Sequence, residues 1–538
     1  MKHINTGLAS TRRAFVGGMG LSIGATAMAA ARTTALADET AGQDWDEEYD
    51  VVVIGAGVAG RAAAATVALE GDGATCLLAD KADDLGGNSP FSDGSVLYGH
   101  DVEGFYAYMK ELCGEGATTP DDVIRAFAEG ACELEDWIFG DLGGDEFEAR
   151  NSEPKTADDP DGNSAAEYPE YEHSWACGKI RVGKSKDVEV MGPKHVFELL
   201  GEFVDAHADV IEYRHGVAMT ELVQDPETSR VTGAVIGGRR VHARRGVIMC
   251  CGGFESNPVM MQNYLGMGCA VPGAGIGNTG DGHRACMRVG ADFWHMDHVA
   301  GFWMNGRDLG NSVSTNKPTG SGTKAFGITV GVNGRRYYMD FDSFHTSGDD
   351  DAYGTDLTLH VGSRHGHMQL GGDWPHATQP RKAWFIFDQA GLEAGAIDPS
   401  YSSDPVADGL VYVADTIGEL AEQAGVPVDE LEATVQRWNE CCDQGEDVYF
   451  HRPASTLTPV RTAPFYAQLC APEFLNTDGG PVRDAKGEIL DVDGNPIPGL
   501  YSAGEFGSIW CEAYNGGGNL AEGLVFGRIA ARSALAAE

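Results

Sequence analysis

Two hydrophobic periods alternate along the chain, one belonging to fully buried strands and one to small-residue helices. Val51-Val52-Val53-Ile54 is an unbroken β-branched run, the pattern of a strand covered on both faces, and Arg61-Ala62-Ala63-Ala64-Ala65 begins an alanine-rich helix. Between them Gly55, Gly57 and Gly60 fall at the G-x-G-x-x-G positions, so the stretch predicts strand, tight turn and helix. A second strand is predicted over 74–79, and it ends in Asp80, the place about 20 residues on where an acid meets a ribose in dinucleotide folds. Glycines that admit a pyrophosphate to a helix start, followed by that acid, imply a bound dinucleotide.

The pattern continues with helices predicted over 102–112 and 120–139. Residues 140–186 then lose periodicity and fill with Asp, Glu, Pro, Gly and Asn, which reads as a surface insertion. A helix over 193–206 precedes strands over 216–222, 231–235 and 246–250, and Gly277-Asn278-Thr279-Gly280-Asp281-Gly282 opens a further helix. From 292 to 453 short strands, aromatic residues and loops mix, with a helix over 428–442. The chain end returns to the first pattern: Gly499-Leu500-Tyr501-Ser502-Ala503-Gly504-Glu505 is a strand ending in an acid, and Gly516-Gly517-Gly518-Asn519-Leu520 starts the last helix. The fold class expected is α/β, with a Rossmann-type domain over 50–291 and 454–538 and an inserted α+β capping domain over 292–453.

Charge narrows the partners. With 38 Lys and Arg against 81 Asp and Glu the net charge is −43, which disfavours nucleic acid and anionic lipid. Residues 1–37 are not expected to belong to the fold. Arg12-Arg13, a mildly apolar run over 17–31 and the small residues Ala35-Leu36-Ala37 resemble a twin-arginine (Tat) export leader, which would place the mature chain in the periplasm or on the outer face of the cytoplasmic membrane. The 12 cysteines are scattered, with adjacent pairs only at Cys250-Cys251 and Cys441-Cys442. There is no C-x-x-C-H for covalent haem and no iron–sulfur motif, although a [4Fe-4S] cluster held by cysteines distant in sequence stays open.

The ordered set VVVIGAGVAG, LGGNS, CCGGF, GNTGDG, GLYSAGE and GGGNLAEGLVFGRIAA resembles the fumarate reductase flavoprotein family, which includes fumarate reductases, urocanate reductases and 3-ketosteroid Δ1-dehydrogenases. The resemblance runs from about residue 50 to the end. It implies FAD between a Rossmann-type domain and a mobile cap, with cofactor contacts from Gly55, Gly57, Ala59, Gly60, Asp80, Lys81, Gly87, Asn88, Ser89, Gly94, Val217, Gly253, Asp281, Glu505, Asn519, Leu520 and Ala521. The chemistry implied is hydride transfer between the flavin and the carbon β to a carbonyl, with proton transfer at the α carbon.

Departures from the family pattern carry the substrate reading. Leu475-Asn476-Thr477-Asp478-Gly479-Gly480 stands where fumarate-reducing members have His-His-Thr-x-Gly-Gly, and Tyr514-Asn515-Gly516-Gly517-Gly518-Asn519 lacks their carboxylate-binding arginine. A buried carboxylate without a partner costs several kcal/mol, roughly, so a dicarboxylate substrate is disfavoured. The Tyr514-to-Gly518 spacing resembles the ketosteroid dehydrogenases, where a tyrosine hydroxyl and a glycine N–H hold a ketone oxygen. That resemblance makes Tyr514 and Gly518 catalytic candidates, with His345 and Arg336 as candidate proton donors in the cap. Phe293, Trp294, Phe302, Trp303, Phe344 and Trp510 suggest a large apolar substrate. Within the family these substitutions most resemble the cardiac glycoside (digoxin) reductases of gut bacteria.

Three readings stay open: reduction of an activated alkene in a neutral, steroid-like molecule, fed by an external donor such as a membrane-bound cytochrome or quinol carrier; the reverse dehydrogenation; and a flavin electron relay without turnover. A fumarate or urocanate reductase is the remaining alternative within the first chemistry.

Overall fold

The computed structural model describes residues 45–83, 86–92, 94–114, 116–144, 166–168, 171–180, 182, 195–268, 270–306, 326–337, 363–364, 367–368, 382–397, 404–452 and 454–537. The proposed leader and His345 lie outside them.

The β-branched run forms the end of the strand Glu47–Ile54, which sits inside an eight-stranded sheet. Parallel neighbours flank it. Cys76–Ala79 lies on one side, in the register Val51 to Cys76, and Arg239–Met249 on the other, in the register Val51 to Gly246. Ile211–Arg214 and Pro496–Ser502 extend the sheet in parallel, and Glu488–Leu490, Met219–Gln224 and Val231–Ile236 complete it through antiparallel pairs. Alternate residues of the central strand enter separate cores: Val51 and Val53 face the helices, while Val52 and Ile54 join Leu77, Val247 and Met249 on the opposite face. That two-sided burial is why the run carries no polar break.

Two small-residue helices, Val58–Glu70 and Gly518–Ala536, cross the first face in close contact. A Cβ on Gly527 would stand 2.5 Å from Ala59 O, and one on Gly523 would stand 2.9 Å from Val58 Cγ1. Glycine at these two positions lets the backbones approach, and the alanines opposite keep the seam narrow. Arg61 fastens the first helix to the helix His195–Ala206, donating from Nη1 to Phe197 O at 2.9 Å while its guanidinium stacks on the Phe197 ring.

A second, mostly antiparallel sheet contains Val299–Gly306, Phe465–Thr477, Ala383–Asp388 and Gly327–Gly331, with Val411–Ala414 and Val271–Pro272 also paired to Phe465–Thr477. One face packs on the helices Ile417–Ala424 and Val428–Gln444 through Ile328, Trp384, Ile386, Leu420, Leu431 and Trp438. The other carries Phe385, Phe387 and Tyr466. Its longest strand, Phe465–Thr477, lies beyond residue 453 and runs into the site described below.

The surface-insertion reading of 140–186 is corrected in part. Cys177–Ile180 is a strand paired antiparallel with Val96–Gly99, and it buries Cys177 and Ile180. Its neighbour Tyr168 is also buried. Four residues are too short to show a period against the acidic surroundings, so tertiary pairing set this element. The helix predicted over 120–139 ends as Asp121–Cys132, followed by Leu134–Asp136 and the wider turn Trp137–Asp141.

The narrow helix seam gives a direct expectation. Gly527→Ala places a methyl group against backbone rather than a movable side chain, so it should lower stability by about 1–3 kcal/mol, read as a lower midpoint in thermal or denaturant unfolding. An unchanged midpoint would mean the helices are not held at this separation.

Candidate active site

The first glycine turn builds an anion cradle. Gly55 adopts φ +102, and a Cβ there would overlap Cys250 O, while a Cβ on Gly60 would overlap Gly55 O. The helix Val58–Glu70 therefore starts tight on the strand end, and its N-cap residue Gly57 offers no side-chain cap. Ser89 Oγ accepts from the Val58 N–H at 2.9 Å, bringing the Gly86-Gly87-Asn88-Ser89 loop to the positive end of the helix dipole. Asp80 faces the same turn: its carboxylate accepts from Ala56 N at 2.7 Å and Ala82 N at 2.8 Å. Val217 N donates to Asp80 O, and Lys81 bridges to Thr279 at 2.7 Å and Asp281 at 2.5 Å. Burial pushes the Asp281 carboxyl up, but Lys81 and Thr279 outweigh it and hold the group below its ordinary range.

The last helix also starts at a glycine N-cap. Gly517, with φ +86, precedes Gly518, and a Cβ on it would meet Ser95 O at 2.8 Å, next to Gly94. Leu520 and Ala521 are buried in the first turn. The Asn519 carboxamide is buried, and its oxygen has no hydrogen-bond partner in the protein.

Between the two helix starts lies a polar seam. Asn88 is its hub: Nδ2 donates to Glu255 Oε1 at 2.9 Å, Leu475 O at 2.8 Å and Glu505 Oε2 at 3.3 Å, while Oδ1 accepts from Gly275 N at 2.8 Å. Glu255 also accepts from Asn278 Nδ2 at 2.5 Å and Thr477 Oγ1 at 3.0 Å, and Asn476 donates to Glu505. Gly253 is glycine because a Cβ would overlap Thr477 Oγ1. Asp478 and Glu522 lie deeper, and Glu522 pairs with Arg483, both side chains being fully buried. Burial raises all four carboxyl groups, and mutual repulsion adds to the rise at Asp478 and Glu505. Glu255, Asn278, Asp478 and Glu522 were not singled out from sequence. Their signal was a polar residue inside each of the motifs CCGGFE, GNTGDG, LNTDGG and NLAEG.

Two buried histidines border this region. His283 Nε2 meets Gly479 O at 2.8 Å among Phe254, Phe293 and Phe506. His295 stacks on Trp294, with Nδ1 on Ser508 O at 2.7 Å and Nε2 on the Thr118 hydroxyl at 2.8 Å. The carbonyl requires Nδ1 to carry the proton and leaves Nε2 as acceptor. Burial lowers both histidines to about 4.

The catalytic candidates fare unevenly. Tyr514 is buried against Trp510 at a ring separation of 5.0 Å, and its oxygen accepts from Asn519 N at 3.1 Å, so it stands at the start of the last helix. Gly518 N–H is used otherwise: it donates to Asn515 O at 2.9 Å, and the missing side chain makes room for Trp510. Of the expected two-donor pair, the Gly518 N–H is thus engaged within the chain. Arg336 is a correction. It pairs with Asp447 at 2.8 Å and stacks near Trp438 and Phe450, which makes it a structural cation of the second sheet rather than a proton donor at the seam. His345 and Phe344 fall outside the described residues, and Trp510 is core. Among the described residues eleven cysteines are free, and no group of three His, Cys, Asp or Glu side chains is arranged to hold a metal ion.

Comparison with known proteins gives this geometry a context. The family described as FAD binding domain matches residues 50–520. A 3-oxosteroid 1-dehydrogenase of Mycobacterium tuberculosis is 33% identical over 325 residues, 54% of this chain and 53% of that enzyme, so the match spans about half its length. The digoxin reductase of Eggerthella lenta is 26% identical over 547 residues, covering 92% of this chain and 88% of the relative. The open conformation of a flavocytochrome c3 fumarate reductase shares the fold with a TM-score of 0.65 at 23% identity, over 98% of this chain and 83% of that one.

The residues present fit FAD. Two helix N-termini that begin at the glycine N-caps Gly57 and Gly517, a cradle at Gly57 that a Cβ would narrow to 3.2 Å from Ser89 Oγ, Asp80 at the strand end and the unpartnered Asn519 oxygen supply donors and acceptors for it. Such a set suits a diphosphate, a ribose and the polar edge of an isoalloxazine.

Titration of His295 can be isolated by mutation. Its pKa is 6.5 unfolded and about 4 folded, so the unfolded chain takes up the proton first and the stability contributed by the neutral ring is lost as pH falls between these values. The stability advantage of wild type over His295→Gln should shrink by about 2 kcal/mol between pH 7 and pH 4.5, measured as unfolding free energies. A constant difference would show that the ring is charged or exposed.

Proposed function

Because the chain belongs to the FAD binding domain family, we propose that it is an FAD-dependent oxidoreductase that saturates a C=C bond conjugated to a carbonyl or lactone in a neutral, steroid-like molecule, a cardiac glycoside such as digoxin being the substrate class favoured. The observation that supports this reading is the charge balance of the seam. Glu255, Asp478, Glu505 and Glu522 converge there, and Arg483, already paired with Glu522, is the cation among them. Arg61 and Arg452, buried elsewhere, spend donors on main-chain carbonyls, and Arg528 pairs with Glu133. A substrate dianion entering this region would meet this like charge, against which Arg483 is the cation among the described residues of the seam. A neutral one would not.

Bound flavin supplies the hydride and accepts it in the reverse direction. The chain's own contribution is to orient and polarise. Tyr514, whose oxygen accepts the Asn519 N–H, becomes a stronger donor through its O–H, suited to hold the carbonyl or lactone oxygen on which negative charge develops. Leu475 and Asn476 occupy the positions of the family's ionic clamp; Asn476 serves Glu505 and the neighbouring Thr477 serves Glu255, so this strand end shapes the site without adding charge. Dehydrogenation of a ketosteroid-like compound is the second reading, supported by the 33% identity to the 3-oxosteroid 1-dehydrogenase. We also propose that residues 1–37 direct twin-arginine export and that a membrane-bound cytochrome or quinol carrier feeds the flavin.

The test is anaerobic reduction of the purified holoprotein followed by flavin reoxidation with fumarate, urocanate, a 3-keto-4-ene steroid and an unsaturated steroid lactone. Reoxidation should be fast with a neutral substrate and at least about a hundredfold slower with fumarate, the discrimination expected when a charged group has no partner. Rapid fumarate turnover would overturn the reading. Faster turnover of a saturated ketosteroid with an artificial acceptor than of any alkene with reduced viologen would favour the second.

A further inference from the structure

Glu255 has no task in the hydride chemistry, yet it is almost fully buried, and three hydrogen-bonding side chains, Asn88, Asn278 and Thr477, converge on it. Its carboxyl and that of Glu505 reach the same nitrogen, Asn88 Nδ2, at 2.9 and 3.3 Å. Asn88 Nδ2 has two hydrogens for three acceptors, Leu475 O being the third at 2.8 Å, and it brings no charge. The remaining donors on the pair, Asn278, Thr477 and Asn476, are also neutral.

The charged surroundings make the contact more acute. Asp478, from the end of the long strand, and Glu522, from the last helix, face Glu505, and Asp478 faces Glu255. Arg483 is paired through one nitrogen with Glu522, and Cys511 beside Asp478 adds no positive charge. A second observation points from this pair toward a ligand. The Asn519 carboxamide and Asp478 lie next to each other, more than nine-tenths buried, and the Asn519 oxygen has no hydrogen-bond partner in the protein.

We propose that Glu255 and Glu505 share one proton across Asn88, and that this proton allows the chain to hold FAD, itself an anion, beside two converging carboxyl groups. Glu255 is then a positioning residue: it acts through Asn88 and Glu505 and need not touch the flavin. One proton on the pair removes one of two like charges, the same logic by which two adjacent carboxyl groups titrate as a unit. Loss of that proton leaves two carboxylates and a diphosphate in one cradle. Burial and the neighbouring acids raise both groups above the usual carboxylate range, in keeping with a proton retained near neutrality. The inference depends on FAD binding alone and is independent of the substrate.

The experiment dilutes holoprotein at a series of pH values from about 6 to 9 at constant ionic strength and reads released FAD by its fluorescence. Flavin content at the lowest pH is measured first, which separates this test from the question of whether FAD binds. In wild type the dissociation constant should rise with pH by up to about tenfold per unit over the interval in which the shared proton is lost. Glu255→Gln should bind FAD within about threefold of wild type at the lowest pH and change less than about threefold across the range, since a neutral amide cannot join the repulsion. Glu505→Gln, altering the other partner, should flatten the same curve, so either variant decides. A wild-type affinity that does not respond to pH, or a variant that keeps the wild-type slope, would overturn the proposal.

Discussion

The arrangement depends on how closely backbone can approach backbone at the end of the first strand. Gly55 and Gly60 leave no room for a β-carbon, so the helix starting at Val58 sits directly on the sheet behind a glycine N-cap. Gly523 and Gly527 then bring the last helix against Ala59 and Val58, and it too starts at a glycine N-cap, Gly517. Helix-dipole ends of the same sign converge only if something negative lies between them. Close packing of small residues is thus what turns an ordinary parallel sheet into a site for an anionic cofactor.

Charge organises the other side of the site. The seam is lined by carboxyl groups and amides with Arg483 paired to Glu522, and the two histidines that border it are held neutral by burial. The long strand Phe465–Thr477 links this chemistry to the second sheet, because its end delivers Leu475, Asn476 and Thr477 to Asn88, Glu505 and Glu255. Packing in the second sheet and polarity at the seam are therefore set by one continuous strand. Arg336 and Asp447, which stabilise that sheet's helical cover, belong to packing.

Much of the first domain was legible because its signals are periodic or sterically obligatory. Val51–Ile54 could only be a doubly buried strand, and the Gly55–Gly60 spacing fixed the turn that follows. Asp80, Lys81, Asn88, Ser89, Val217, Asp281, Glu505 and Asn519 all fall within the cradle or the seam that joins it to the last helix. What stayed hidden was direction and partnership. The strand Cys177–Ile180 is too short for a period, and it forms because Val96–Gly99 offers an edge. Spacing placed Tyr514 and Gly518 together but could not show that Gly518 N–H turns back to Asn515 O. Glu255 follows Gly-Gly-Phe as a single polar residue, and nothing local distinguishes a buried carboxyl from an exposed one.

The most direct measurement is the flavin content of the purified chain beside that of Gly57→Leu, with circular dichroism to confirm that both are folded. Position 57 lies 3.2 Å, at its Cβ, from Ser89 Oγ and 3.4 Å from Gly86 O, so a leucine would fill the space between the helix start and the loop. The account expects about one FAD per chain in wild type and none in the folded variant. Stoichiometric flavin in the variant, or a colourless wild type that takes up no FAD, would contradict it.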